Sequence, residues 1–277
     1  MKKNERAAAI VRTIVVSLIA VLFVVPLVWM VLSSLKTAPE VFARPFHWLP
    51  ARVQWQNYAT VWMNEEASML RAFANTLYIA LFSITGQMFI SSLAAYSFAK
   101  INFKGKQVVF MLFLSSMMVP SQLTIIPRFM LFKTIGLYNN LWAIILPAFF
   151  GATSIFMLRQ FYMGLPNDLI EAAKIDGAGH LRIFLRIMLP LTKAALMSLI
   201  ILAFISSWNE YMAPLIFLVK KELYTVSQNI QWYMLDEFKE HNLTMAAATS
   251  AIVPVVILFI VGQKYFVEGI ATSGVKG

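Results

Sequence analysis

Six stretches of this chain run long enough with almost no Asp, Glu, Lys or Arg to cross a lipid bilayer: residues 13–35, 72–99, 107–127, 134–158, 189–209 (uncharged from residue 194) and 242–263. A hydrocarbon core of about 30 Å needs about 20 apolar residues at 1.5 Å per residue, so these segments predict six transmembrane helices. The remaining composition supports this. With 60% apolar and 13% charged residues among 277, too few polar side chains remain to clothe a soluble domain. We therefore expect an all-α integral membrane protein, organised as one domain over residues 1–277 without a repeat of 20 to 50 residues. The first stretch exceeds the apolar core of a signal peptide and is followed by no small-x-small cleavage site, so it is expected to stay as a span.

A net charge of +10 in a soluble protein would point to nucleic acid. Here the basic residues fall mainly in short connections between apolar runs, and no zinc spacing or aromatic-basic groove accompanies them, so nucleic-acid binding is set aside. Fourteen Lys and Arg lie in the N-terminal segment, the second-to-third and fourth-to-fifth connections and the tail, against nine on the other side, where seven acidic residues nearly match them. By the positive-inside rule both termini are expected in the cytoplasm. The chain has no cysteine, which excludes disulfides, thiolate catalysis and Cys-ligated metal, and His47 and His241 have no second ligand at metal spacing.

Two further features shape the expectation. Prolines fall inside spans at Pro26, Pro120, Pro147, Pro214 and Pro254, where neighbouring helices can satisfy the freed carbonyls, so kinked helices around a cavity are predicted. The outer segment 36–71 carries Trp48, Trp55, Tyr58 and Trp62 with three prolines, which predicts an ordered interfacial cap.

The most informative stretch is 165–191, LPNDLIEAAKIDGAGHLRIFLRIMLPL. Asn167 or Asp168 can cap a short helix, Asp168 and Glu171 have capping-box spacing, and Gly177 suits its end because glycine adopts a left-handed conformation at little cost. A second amphipathic stretch follows, with Leu181, Phe184, Leu185 and Met188 at helical spacing. Glu171 and Asp176 lie about 140° apart on a helix with no His in reach, which argues against catalysis. Ala172 and Ala173 beside Glu171 instead offer a narrow surface next to a negative charge, suited to docking in a protein cleft, or else to a hairpin resting on the membrane surface.

At the level of whole motifs, Glu171, Ala172, Ala173, Asp176, Gly177, Ala178, Phe184 and Pro190 resemble the EAA loop of binding-protein-dependent ABC import permeases. The segments MVPSQLTIIP (118–127), LRQFYMGLP (158–166), SSWNEYMAPL (206–215) and the terminal SGVKG are similar to the carbohydrate-uptake branch, the maltose-type G subunits. That resemblance implies a coupling helix between spans 4 and 5 that docks into a cytoplasmic ATPase subunit. Glu171 would be its charged contact, Ala172 and Ala173 its close-packing surface, and Asp176, Gly177 and Ala178 its orienting turn. It also implies two ATPase subunits that bind ATP and Mg, a second F-type permease chain, an extracytoplasmic solute-binding protein that delivers a sugar, and a bacterial or archaeal plasma membrane. An importer of a non-sugar solute, such as a phosphorylated polyol or an oligopeptide, is the alternative, with a secondary transporter the alternative of a different class. The chain itself lacks the G-x-x-x-x-G-K-[ST] phosphate cradle and is not expected to hydrolyse ATP.

Polar side chains within spans are the pathway candidates, since each must face protein or water. They are Trp208, Asn209, Glu210, Asn75, Gln87 and Gln122. Glu210 either braces a helix end near the outer boundary or faces the solute. The small residues Ser91, Ala95 and Ala99, and Ala247 and Ala251, have spacing for close helix packing.

Overall fold

The structure is a computed structural model that describes residues 2–235 and 240–274, with side chains for 8–235 and 240–263. Asp236, Glu237 and Lys239 of the outer loop, and the last three residues of the SGVKG motif, lie outside the described residues, as do the side chains of the tail beyond Gln263. The described residues are helical, without a strand. In chain order the helices are α1 (Lys2–Ser34), α2 (Ala38–Val41), α3 (Gln56–Met63), α4 (Met69–Lys100), α5 (Lys106–Ser115), α6 (Ile125–Thr134), α7 (Trp142–Ala148) and α8 (Ala152–Met163). They continue as α9 (Asp168–Ile175), α10 (His180–Ile183), α11 (Leu189–Leu191), α12 (Lys193–Asn209), α13 (Met212–Phe217), α14 (Val226–Leu235) and α15 (His241–Gly274).

Four segments are long and apolar enough to cross a membrane: Ala8–Ser34, Met69–Lys100, Trp142–Met163 and His241–Gln263. Two bent pairs, Lys106–Met118 with Ser121–Thr134 at 91° and His180–Leu191 with Lys193–Asn209 at 76°, bring the number to six if each pair makes one crossing. The bends have local causes. Val119 precedes Pro120, whose ring disfavours helix at the residue before it, and Val119 is extended at φ −83°, ψ 114°. At the other bend Pro190 brings no N–H, a π-helical turn over Phe184–Met188 precedes it, and the buried Thr192 hydroxyl donates to the Met188 and Leu189 carbonyls at 3.1 and 2.9 Å.

The fourth apolar stretch is displaced from the expected 134–158 to Trp142–Met163. Residues 135–141 are uncharged but form a turn, with Gly136 at φ +76° and Asn139 at φ +63°, and the Leu137 and Tyr138 N–H groups both donate to the Phe132 carbonyl.

Contacts gather in two compact units, Met1–Leu70 with Asn229–Val253 and Arg71–Gln228 with Pro254–Gly277. In the first, the segment 36–71 is ordered by buried polar ties. Asn57 Nδ2 donates to the Ser34 and Lys36 carbonyls at 2.8 Å each, and its Oδ1 accepts from Asn242 at 3.0 Å. Asn229 and the Tyr233 hydroxyl both donate to the Ala67 carbonyl at 3.0 Å. In the second unit the main core joins Met88, Ala95 and Tyr96 of α4, Ile155, Leu158 and Tyr162 of α8, Ile170 and Ala173 of α9, and Ile183, Phe184, Met188 and Leu199. Ser91 and Ala95 are fully buried, as the small-residue spacing predicts.

Candidate functional site

Two places concentrate the residues singled out from sequence. The first is the hairpin of α9 and α10. Its first helix ends in a Schellman turn: the Ala178 N–H donates to the Ala173 carbonyl at 2.9 Å and the Gly177 N–H to Lys174 at 3.0 Å, with Gly177 at φ +77°. The Asp168–Glu171 capping box does not form. Asn167 takes the N-cap position, and its side-chain oxygen accepts instead from Lys100 Nζ at 2.7 Å, an ammonium that also donates to the Leu165 carbonyl at 2.7 Å. The second helix is tied to α4 as well, through Tyr96 Oη and His180 Nδ1 at 3.1 Å, with the Tyr96 and Phe184 rings 5.5 Å apart.

This seating divides the alanine pair. Ala173 is 8% exposed and packs into the core with Ile170, whereas Ala172 points outward with Glu171, Lys174 and Asp176. Residues 172 and 173 stand about 100° apart on a helix, so one face cannot carry both. The outward apolar residue that sequence reasoning passed over is Ile175, at 87% exposure. Its signal was an isoleucine among charged neighbours. In the second helix the buried positions are Ile183, Phe184 and Met188, while Leu181 and Leu185 are exposed, so the apolar face is rotated from the one expected.

The second place is a cavity of about 410 Å³ in the unit containing α4, α6 and α12. Gln87, Gln122 and Glu210 come together on its wall. The other three pathway candidates do not. Asn75 donates to the Glu222 and Tyr224 carbonyls at 2.8 and 3.1 Å and so ties α4 to the loop before α14. Asn209 turns back on its own helix to the Ile205 carbonyl at 2.8 Å. Trp208 is 2% exposed, stacked on Phe204 at 5.4 Å and edge-on to Phe73 at 5.3 Å.

Glu210 stands at a helix break on the cavity wall. It ends α12 in an extended conformation, and Oε1 accepts from the Ala213 N–H at 3.0 Å, satisfying a free donor in the first turn of α13. It also lines the cavity. Sequence reasoning missed Ser83, Ser121, Ser206, Ser207 and above all Arg128 there. Arg128 is one of the nine basic residues expected in connections on the side opposite the termini, yet it lies within α6 and borders the cavity. Ser83 lies four residues before Gln87, and Ser206 four before Glu210, a helical spacing that carried the signal.

Gln87 is held in place. Its amide donates to Ser154 Oγ at 3.0 Å, and a Cβ at Gly151 would fall on that same amide. Such a wall offers hydrogen-bond donors and acceptors around a space in the size range of small-molecule sites. Among the described residues no three His, Asp or Glu side chains converge as metal ligands.

Comparison with known proteins agrees with this architecture. The family model for binding-protein-dependent transport system inner membrane components matches residues 87–272. The chain is 33% identical to the arabinooligosaccharides transport system permease protein AraQ of Bacillus subtilis (strain 168), over 96% of this chain and 95% of that one. It is 29% identical to the sn-glycerol-3-phosphate transport system permease protein UgpE of Yersinia pestis bv. Antiqua, over 99% of both. A chain from the crystal structure of a bacterial ABC transporter involved in the import of the acidic polysaccharide alginate superposes with a TM-score of 0.84 at 23% identity, covering 95% of this chain and 98% of that one, and so shares the fold. The chain belongs to the family of binding-protein-dependent transport system inner membrane components.

Proposed function

We propose that this chain is the membrane-spanning permease subunit of an ATP-driven importer for a sugar or oligosaccharide. The observation that carries the reading is the α9–α10 hairpin, seated on α4 from within and presenting Glu171, Ala172 and Ile175 outward. In this reading α9 is the coupling helix, and those three residues meet a cleft of a cytoplasmic ATPase subunit. Asp176, Gly177 and Ala178 set its angle, and Ala173 anchors it inward. Each bent helix pair makes one crossing, which gives six spans in one permease domain with both termini in the cytoplasm of a bacterial or archaeal cell.

The chain carries no phosphate cradle, so ATP and Mg²⁺ belong to two separate ATPase subunits. A second permease chain completes the pore, and an extracytoplasmic binding protein delivers the solute. The cavity lined by Gln87, Gln122 and Glu210 lies on the solute's path. Arg128 on the same wall, together with the sn-glycerol-3-phosphate relative, supports a second reading in which the solute is a phosphorylated polyol.

Affinity purification from the native membrane tests the proposal. Recovery of a second permease and an ATPase, with hydrolysis stimulated by a sugar-loaded binding protein, is the expected result. A chain that purifies alone and transports in liposomes without ATP overturns it.

A further inference from the structure

We infer that Arg128 and Glu210, opposed in one cavity without pairing, make the permease select uncharged, hydroxyl-rich solutes and turn away anionic ones. This rests on the proposed importer reading, with the cavity on the solute's path, and decides between its two solute classes.

Both residues line the same 410 Å³ space, a volume within the range of small-molecule sites. They reach it from separate elements, Arg128 from α6 and Glu210 from the break between α12 and α13. Their charges act on one another, yet among the described residues they form no ion pair. Arg128 is held by another contact, its guanidinium carbon 5.0 Å from the centre of the Phe217 ring. Glu210 is held by the bond from the Ala213 N–H to Oε1. Each charge is thus fixed by its own neighbour, which leaves the guanidinium edge and Oε2 to meet whatever enters.

A phosphate or carboxylate drawn to the guanidinium would enter the repulsive field of the Glu210 carboxylate in the same small space. A neutral polyol has no such conflict. Each of its hydroxyls both donates and accepts, so it can donate to the carboxylate, accept from the guanidinium, and do either with the amides of Gln87 and Gln122.

The test is direct binding to the purified assembly in nanodiscs without its binding protein, read by saturation-transfer NMR. Raffinose and arabinotriose are the neutral probes and sn-glycerol 3-phosphate the anionic one. The neutral trisaccharides are expected to bind, with sn-glycerol 3-phosphate at least tenfold weaker. Glu210→Gln keeps a side-chain oxygen for the Ala213 N–H and leaves the cavity positive, so it should strengthen sn-glycerol 3-phosphate binding at least tenfold. Arg128→Gln should not strengthen it. Equal binding of both classes by the native protein, or less than a twofold gain in Glu210→Gln, overturns the inference. Binding of no probe, while sugar-loaded binding protein still stimulates ATP hydrolysis, also overturns it and leaves the importer reading standing. Loss of that stimulation as well removes both.

Discussion

At Gly151 a methyl group has nowhere to go except onto the Gln87 amide, and at Gly86 it would strike the Phe149 ring. The two neighbours differ in how easily they move. The end of Gln87 can swing aside, so Gly151→Ala should cost below about 1 kcal/mol of stability while breaking the bond to Ser154 and lowering solute uptake. A ring in a packed interior yields only with its surroundings, so Gly86→Ala should cost about 1–3 kcal/mol. Thermal unfolding in detergent, set beside uptake in proteoliposomes, separates the two. A second contrast lies one residue apart: Ala173→Leu overpacks the core under α9, whereas Ala172→Leu leaves the fold alone and alters only what that helix presents outward. Outside the spans, the Glu40 carboxylate accepts from the Thr37 N–H at 2.8 Å and its hydroxyl at 2.9 Å, and these bonds hold its pKa below the usual value. A depressed carboxylate stabilises above its unfolded pKa, about 4.3. Native protein should therefore exceed Glu40→Gln in melting temperature at pH 6, and the gap should close as the pH falls below 4.

At the scale of elements, the α9–α10 hairpin hangs from α4 by two polar ties, Lys100 to the start of α9 and Tyr96 to the start of α10. If the hairpin transmits movement from an ATPase, slackening a tie wastes that movement. Lys100→Met is expected to keep ATP hydrolysis while reducing solute moved per ATP severalfold, with recovery in Lys100→Arg. Glu171→Ala should uncouple without lowering thermal stability, since its side chain points away from the core; normal uptake in that variant would count heavily against the docking role. The hairpin was readable in advance because a proline, a positive-φ glycine and a short amphipathic run are local signals; of the prolines expected to kink spans, Pro120 stands at a bend, whereas α1 and α15 run through Pro26 and Pro254 as single helices. What escaped was everything set by a neighbour. The Asp168–Glu171 box gives way to an N-cap at Asn167 whose side chain binds a lysine 67 positions away, and the fourth long apolar helix starts eight residues later than expected because an apolar turn looks like an apolar helix. Arg128 and the serines of the cavity were missed for a related reason: a single sequence shows that a polar side chain sits among apolar ones, but which of them face a common space depends on how separate helices are rotated.

For the molecule as a whole, the proposed topology has a clean test because the chain has no cysteine of its own. Single cysteines at Lys174 and Glu65 should react with a membrane-impermeant maleimide from opposite sides, the first only in inverted vesicles and the second only in intact cells or spheroplasts. Labelling of both from one side would contradict the six-span arrangement. One helix stands apart from the logic of the rest. In the apolar stretch of α1, from Ala8 to Ser34, the most hydropathic window buries none of its residues against the rest of the chain, and side chains from Ile10 to Val28 are 42% exposed or more wherever they are large and apolar. Nothing within this chain therefore dictates the shape of those side chains; only their oiliness and their number are constrained. Under mutation α1 should drift freely among Leu, Ile, Val and Phe while α4 does not. Any stripe of α1 that refuses such exchange, spaced every three or four residues, would trace the footprint of a neighbouring molecule in the membrane.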